Sequence, residues 1–110
     1  MNAITLPCGT MYIRYSIAAH LLTTAMCPQP KTAGAVAGYR DVYAAIDNRL
    51  SRAVELGDLV VRDPLTHARH LYPVGNALRE ADILVEDLRH YAKEHDWPAI
   101  EFSSRALDAA

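Results

Sequence analysis

Cysteine is scarce in this chain: Cys8 and Cys27 are its only two thiols among 110 residues. They do not form a CxxC pair, and no secretory signal lies near them. This usage is typical of a reducing compartment, so we expect a cytoplasmic location rather than that of a secreted, disulfide-bonded protein.

Long apolar runs are also missing. The longest apolar-looking stretch near the start, "YSIAAHLLTTAM", is interrupted by His20 and by threonines. A membrane-spanning helix needs about 20 apolar residues, and this stretch falls far short of that length. We therefore expect a soluble protein with no membrane partner.

Large apolar side chains are fewer than the composition suggests, because 18 of the residues counted as hydrophobic are alanine. The length predicts a single domain over residues 1–110, with an ordered core at about 11–102 and a flexible tail at 103–110. A core with few large side chains is either compact or completed by a second chain. We therefore expect a homodimer, with exposed aromatic residues at its interface: Tyr12, Tyr39 and Trp97.

Charge is distributed unevenly along the chain, although its net value is only −2. Residues 1–39 contain two cations and no acid, and residues 40–79 contain six arginines against five acids. Residues 80–110 contain eight acids against three cations. This pattern permits a basic face on the first two thirds of the fold, and the alternative is an ordinary solvated surface with uneven charge.

The strongest structural signal is "YRDVYAAIDNRLSRAVELG", residues 39–57. Apolar side chains recur there at i, i+3, i+4 and i+7, and charged side chains occupy most remaining positions. The spacing predicts a helix of about five turns, followed by Gly57, where glycine favours a positive φ. The predicted buried stripe consists of Tyr39, Val42, Tyr43, Ile46, Leu50, Ala53 and Val54.

The segment before this helix predicts a strand, a helix and a loop. The β-formers of Met11–Tyr15 predict the strand, and Ser16 is expected to cap a helix that continues to about Met26. The stretch "CPQPKTAGAVAG", residues 27–38, contains two prolines and two glycines. It predicts a long flexible connection, because proline interrupts a helix.

Two apolar stretches after the main helix predict a hairpin. Its strands are "DLVVRDP" and "RHLYPV", and "DPLTHA" supplies the loop. "EADILV" predicts a third extended segment, and Val85 begins a further helix that "WP" ends. The predicted class is α+β, mostly helical, with about three helices and a short antiparallel β-hairpin.

Catalytic and metal sites have little support in the sequence. His67 and His70 have HxxH spacing, but two ligands do not make a zinc site. Neither thiol has a base or cation beside it that would activate it, and "GAVAG" lacks the strand and the lysine of a phosphate loop. The adjacent carboxylates Glu86 and Asp87 diverge on a helix. We therefore expect no enzyme activity, no cofactor and no bound metal.

Three side chains on the main helix have the chemistry of nucleic-acid recognition. Asn48, Arg49 and Arg52 lie opposite the apolar stripe, and such amides and guanidiniums read purines and contact phosphates. The alternative is an ordinary solvated face on which Arg49 and Arg52 pair with Glu55 and nearby aspartates. With the hairpin acting as a wing, the candidate DNA-binding residues are Arg40, Asn48, Arg49, Arg52, Arg62, His67, Arg69 and His70.

The motifs "YSIAAHLL", "AVELGDLVVRDPLT", "YP" and "ILVEDLRHYAKEH" occur in this order over residues 11–96. Their layout resembles that of small helix-turn-helix or winged-helix proteins of phages and prophages, including excisionase-like regulators. The resemblance implies a regulator of transcription or recombination that binds double-stranded DNA. It places the second helix, with Asn48, Arg49 and Arg52, in the major groove and the hairpin on the backbone.

A second hypothesis assigns the function to the acidic C-terminal third. A protein-binding adaptor, or a phage-encoded inhibitor of a host system, would use this surface against a basic partner protein without any catalysis. The candidate residues for this role are Glu86, Asp87, Glu94, Asp96 and Glu101.

Overall fold

The chain alternates short strands with helices. The computed structural model describes residues 3–26, 33–70, 73 and 75–103. In these residues the elements are β1 (Ile4–Leu6), β2 (Tyr12–Arg14), α1 (Tyr15–Met26), α2 (Ala33–Leu56), β3 (Val61–Arg62), α3 (Asn76–Glu80), β4 (Asp82–Leu84), α4 (Val85–Glu94) and β5 (Ile100–Phe102). The α+β class is confirmed, with four helices in this part of the chain instead of about three. None of these helices is long and apolar enough to cross a membrane.

A three-stranded antiparallel sheet lies at the centre of the fold, with β4 between β2 and β3. Its register aligns Ile13, Ile83 and Val61 in one row across the three strands. All three side chains are buried in the core, and Ile83 has no exposed surface. Since successive side chains of a strand point to opposite faces, this row defines the inner face of the sheet.

Two helices start directly from strands of this sheet. The N–H of Tyr15, the first residue of α1, donates to the Ala81 carbonyl at 2.8 Å, and the N–H of Val85, the first residue of α4, donates to the Met11 carbonyl at 2.8 Å. The sheet thereby satisfies a donor that a free helix N-terminus leaves open. Helix α1 thus begins two residues before the start that a cap at Ser16 predicts, and the predicted cap is wrong because Ser16 lies inside the helix.

Helix α2 is longer than the sequence predicted. It begins at Ala33, so the second half of the predicted flexible connection is helical. The prolines lie upstream of this start, whereas a glycine inside a helix costs only about 1 kcal/mol and does not break it. The first half of that connection, residues 27–32, lies outside the described residues.

The predicted apolar stripe of α2 is confirmed. Ile46, Leu50 and Ala53 are buried, and the other four members of the stripe are half-buried. Gly57 follows the helix with a φ of +83°, the left-handed conformation that favours glycine after a helix C-terminus.

A hydrogen bond fixes α2 against the start of α1. The hydroxyl of Tyr15, which is 1% exposed, donates to Oδ1 of Asp47 at 2.8 Å. Burial, followed by the neighbouring Asp47 carboxylate, raises the pKa of Tyr15 far above its ordinary value. Tyr15 therefore remains a neutral hydrogen-bond donor at neutral pH.

A second strand pairing, which the sequence did not predict, joins β1 to β5 in parallel. Ile4, Leu6 and Ile100 of this pair are buried, so the core includes residues that precede the expected boundary at residue 11. The Nε of Arg89 donates to the Ile100 carbonyl at 3.0 Å and ties β5 to α4. This pairing could not be predicted from a turn motif, because β1 and β5 lie far apart along the chain and no turn connects them.

The predicted hairpin is only partly formed. Its return segment contributes one bridge, between Arg69 and Arg62, and β3 pairs mainly with β4. β3 pairs with β4 because this pairing places Val61 beside Ile83 and buries both apolar side chains. Residues 71, 72 and 74 of the predicted return strand, and residues 104–110 of the predicted tail, lie outside the described residues. The extended segment at β4 and the helix after it are confirmed, and α3 was not predicted.

The aromatic rings that were expected at a dimer interface pack against other rings of the same chain. Trp97 is 8% exposed, and its ring meets that of Tyr91 edge-on at 5.3 Å between centroids. Tyr12 and Tyr39 are half-buried and contact histidine rings. The prediction that these three aromatic residues are exposed is therefore wrong, because packing inside the chain covers them.

Truncating Ile83 tests the central position of β4. We expect Ile83→Ala to lower the free energy of unfolding by about 2–5 kcal/mol, because it leaves a cavity where three strands meet, and Ile83→Val by about 0.5–1.5 kcal/mol. Urea unfolding measures both values. Leu65→Ala is the control, since Leu65 is 91% exposed and its truncation should change stability by less than about 0.5 kcal/mol. Similar losses at the two positions would contradict this account.

Tyr15→Phe tests the bond between α1 and α2. We expect a loss of about 1–3 kcal/mol at neutral pH, because Asp47 loses its donor. The folded-state pKa of Tyr15 lies above the ordinary value of 10.0, so its stabilisation is complete below that pH and is lost as the pH rises beyond it. The stability difference between the wild type and Y15F should therefore shrink in alkaline solution. Tyr12→Phe is the control, since the Tyr12 hydroxyl has no hydrogen bond within the described chain; a difference independent of pH would refute the prediction.

Candidate nucleic-acid interface

The exposed side of α2 carries the side chains that were predicted to recognise nucleic acid. Arg40, Asn48, Arg49 and Arg52 are all exposed. They lie there because the apolar stripe at helical spacing turns toward the core and leaves the remaining positions in solvent. The structure therefore brings the predicted amide and its neighbouring guanidiniums together on one helix.

Within the described residues, these α2 arginines form no ion pair, although Asp58 lines a cleft together with Arg49 and Arg52. In the parts of the chain that the structure describes, the ion pairs are Arg89–Glu86 and His90–Glu94. The predicted alternative, in which Arg49 and Arg52 pair with Glu55, is therefore not what the folded chain adopts. Guanidiniums without a carboxylate partner remain available to an external anion.

Helix α4 provides the neighbouring wall of this surface. Asn48, Arg49 and Arg52 line a shallow cleft of about 390 Å³ that Tyr91 and His95 also border. Burial raises the pKa of Tyr91, and the positive charge of Arg49 partly opposes that rise. Arg49 and Tyr91 therefore border the same cleft, a proximity that the sequence did not indicate.

The loop after β3, residues 63–68, is closed by its own hydrogen bonds. Oδ1 of Asp63 accepts from the N–H groups of Leu65 at 2.8 Å and Thr66 at 3.0 Å. The His67 N–H donates to the Asp63 carbonyl at 2.8 Å. These bonds hold the loop in one conformation, an Asx-type turn, with Leu65 at its exposed tip.

Three of the predicted phosphate-contacting residues near this loop have partners within the chain. His67 stacks on Tyr12, with ring centroids 4.1 Å apart. Arg62 is half-buried, and its Nη1 donates to the His67 carbonyl at 3.0 Å. His70 is half-buried and its N–H donates to the Val61 carbonyl of β3, so of the two histidines only His67 is exposed. Arg69 is exposed, as a phosphate contact requires.

The acidic residues of the alternative hypothesis are interleaved with cations. Glu86 pairs with Arg89 at 2.9 Å, and Glu94 pairs with His90 at 3.0 Å when that imidazole is protonated. The remaining candidates are the half-buried Asp87 and the exposed Asp96 and Glu101. This surface is therefore less uniformly negative than the composition of the C-terminal third indicated.

The described part of the chain contains no group of three or more His, Cys, Asp or Glu side chains arranged to hold a metal ion. The two histidines of the HxxH motif lie in different environments. The His67 ring stacks on Tyr12, whereas His70 is half-buried beside β3. The two imidazoles therefore have different surroundings.

Sequence reasoning missed the outer face of the antiparallel sheet. Arg14 and Asp82 alternate with the buried Ile13 and Ile83, so their side chains point away from the core. The register sets these two charged residues directly opposite each other. The polar–apolar alternation of "YIR" and "DIL" is the signal that could have identified this face, but two strands of three residues are too short for it to stand out.

No family model, curated protein or solved structure matches this chain at a significant level. The chemistry of the surfaces described above is therefore the basis for assigning a function.

The loop predicts a measurable pH response. Hydrogen bonds from the N–H of Thr66 and then of Leu65 lower the pKa of Asp63 below its usual 3.8. The folded loop thus favours the charged carboxylate, and its contribution is present at neutral pH and lost as the pH falls through the folded-state pKa. In an NMR titration we expect the Asp63 carboxyl and the Leu65 and Thr66 amide resonances to share a midpoint below 3.8.

The variant Asp63→Asn is the control for this titration. Asparagine retains an oxygen acceptor for the turn but does not ionise, so the amide resonances of Leu65 and Thr66 should no longer respond in this pH range. A wild-type midpoint at or above the usual value would show that these two hydrogen bonds do not form in solution.

Proposed function

We propose that this protein binds duplex DNA through the exposed face of α2. The observation that carries the proposal is that Arg49 and Arg52 stand beside Asn48 on this face, without an ion pair or side-chain hydrogen bond inside the described chain. Guanidiniums that no carboxylate neutralises can replace the counterions of DNA phosphates, and this exchange supplies much of the affinity of DNA-binding proteins.

The shape of the α2 face favours a base-contacting role for its middle part. Ala44 and Ala45, about one turn before Asn48, are exposed. Small side chains let a helix approach the floor of the major groove, and the methyl group of alanine can contact that of thymine. We assign base contacts to Asn48 and Arg52, since amides pair with adenine and guanidiniums with guanine.

Phosphate contacts are assigned to the cations at the margins of this face. Arg40 lies two turns before Asn48, Arg49 lies beside it, and Arg69 follows the loop. Arg62 is a weaker candidate, because it is half-buried and already donates to the loop. These contacts fix the orientation of the helix but carry no sequence information.

The chain order supports a winged-helix-like arrangement. Helix α1 ends at Met26 and α2 begins at Ala33, so their connection is closer in length to the turn of a helix-turn-helix than the predicted one. The loop of residues 63–68, which the Asp63 side chain closes by hydrogen bonds, follows α2 along the chain and would serve as the wing. A small regulator of transcription or recombination, of the kind carried by phages, is the class of protein that fits this order.

Salt-dependent binding to a short labelled duplex tests the proposal. We expect the affinity of the wild type to fall steeply as salt is added, because each neutralised phosphate releases counterion. Arg40→Gln and Arg49→Gln should each reduce the slope of log affinity against log salt by about 0.9, the value for one phosphate contact. Fluorescence anisotropy over a salt series measures the slope.

Lys93→Gln is the matched control, because Lys93 is an exposed cation on α4 that lies outside the α2 face. Its loss should leave the slope unchanged. A wild type that shows no salt-dependent binding to duplex DNA, or an R49Q variant with the slope of the wild type, would reject the proposal. Absence of binding would instead favour a protein partner for the acidic surface.

A further inference from the structure

The outer face of the antiparallel sheet carries a row of charged side chains. The register places Arg14 opposite Asp82 and Asp82 opposite Arg62, and the isolated bridge pairs Arg62 with Arg69. These four residues are named the cross-strand row. Directly opposed residues point to the same face of a sheet, and neighbouring strands lie about 4.8 Å apart, so the row spans about 14 Å.

The cross-strand row has an excess of positive charge. It contains three arginines and one carboxylate, and no ion pair joins Asp82 to its neighbours in the described chain. The end residues, Arg14 and Arg69, are exposed. Arg62 is half-buried and donates to the loop. The two end guanidiniums are therefore the members that an anion can reach.

Contacts across the sheet hold the row in place and connect it to α2. The ring of His67 stacks on that of Tyr12 in β2, and Arg62 in β3 donates a hydrogen bond to the His67 carbonyl. The loop therefore reaches from β3 across β4 to β2. At the other end, Nη2 of Arg69 lies close to Gly57, which follows the C-terminus of α2. The Arg69 end of the cross-strand row therefore lies beside the C-terminus of α2.

We infer that Arg14 and Arg69 form a second phosphate-binding surface that contacts the same duplex as α2. This inference rests on the proposed function, and it adds Arg14, which belongs to a strand remote from α2 in sequence. Arg14 and Arg69 lie on backbone segments about 14 Å apart, so their side chains contact the DNA backbone at separate points. Phosphate contacts carry no base information, so the role of this surface is to orient α2 on the DNA.

Arg14→Gln tests the inference with the same short duplex as the probe. We expect the salt slope to fall by about 0.9, so that the affinity difference from the wild type grows about eightfold for each tenfold decrease in salt. Arg14→Lys retains the charge and should retain the slope. Lys93→Gln again serves as the control, and the urea midpoint of each variant shows whether it is folded.

Asp82→Asn is a sharper test, because a damaged fold does not improve binding. Asp82 has no side-chain hydrogen bond or ion pair within the described chain, and its neutralisation leaves only cations in the cross-strand row. We therefore expect D82N to bind the duplex more tightly at low salt. Glu101→Gln removes one acid from the other sheet and is the matched control, whose effect should be clearly smaller.

The outcomes distinguish this inference from the proposed function. If R14Q and D82N bind like the wild type while Arg49→Gln weakens binding, the second surface is overturned and the α2 face stands. If R14Q weakens binding and R49Q does not, the α2 assignment fails, and the inference that this surface orients α2 on the DNA is overturned with it. A wild type that binds no duplex overturns both.

Discussion

Ile83, fully buried at the centre of β4, packs where the three strands of the antiparallel sheet meet. β4 is hydrogen-bonded on one side to β2 and on the other to β3, and it continues directly into α4. Because β2 continues in the same way into α1, the position of one strand fixes two helices. The strands have only two or three residues each, so few backbone hydrogen bonds hold the sheet, and the apolar row of Ile13, Ile83 and Val61 supplies the burial that they lack.

The same alternation that buries this row also creates the charged surface on its reverse. A strand that directs Ile83 inward must direct Asp82 outward, and the register then decides which residues stand beside it. The cross-strand row is thus a geometric consequence of the core. The hydrogen bond from Tyr15 to Asp47 joins α2 to the start of α1, and the buried stripe of α2 leaves Arg49 and Arg52 facing solvent.

The regular spacing of apolar residues predicted the long elements of the fold correctly. The stripe of α2 repeats over several turns, and no other packing of that helix would bury it. The end at Gly57 and the extended segment at β4 were also predictable, because each depends on local residue chemistry. The start of α2 and the β1–β5 pair were not, since glycine only weakly disfavours a helix and a parallel pair joins strands far apart in the chain. In the candidate site, Asn48, Arg49 and Arg52 follow from helical spacing, whereas Arg14 does not.

Residue patterns alone were enough to predict the α+β class, the buried side of α2 and the chemistry of its opposite side, because a helix with one apolar stripe can turn only that stripe inward. Tertiary structure decided which distant residues became neighbours. Arg14 stands in line with Arg62, and Arg49 lies beside Tyr91, because β4 pairs with both of its neighbours and α4 follows it. Strand register and helix position are set by the burial of the whole core, and no short stretch of residues contains that information.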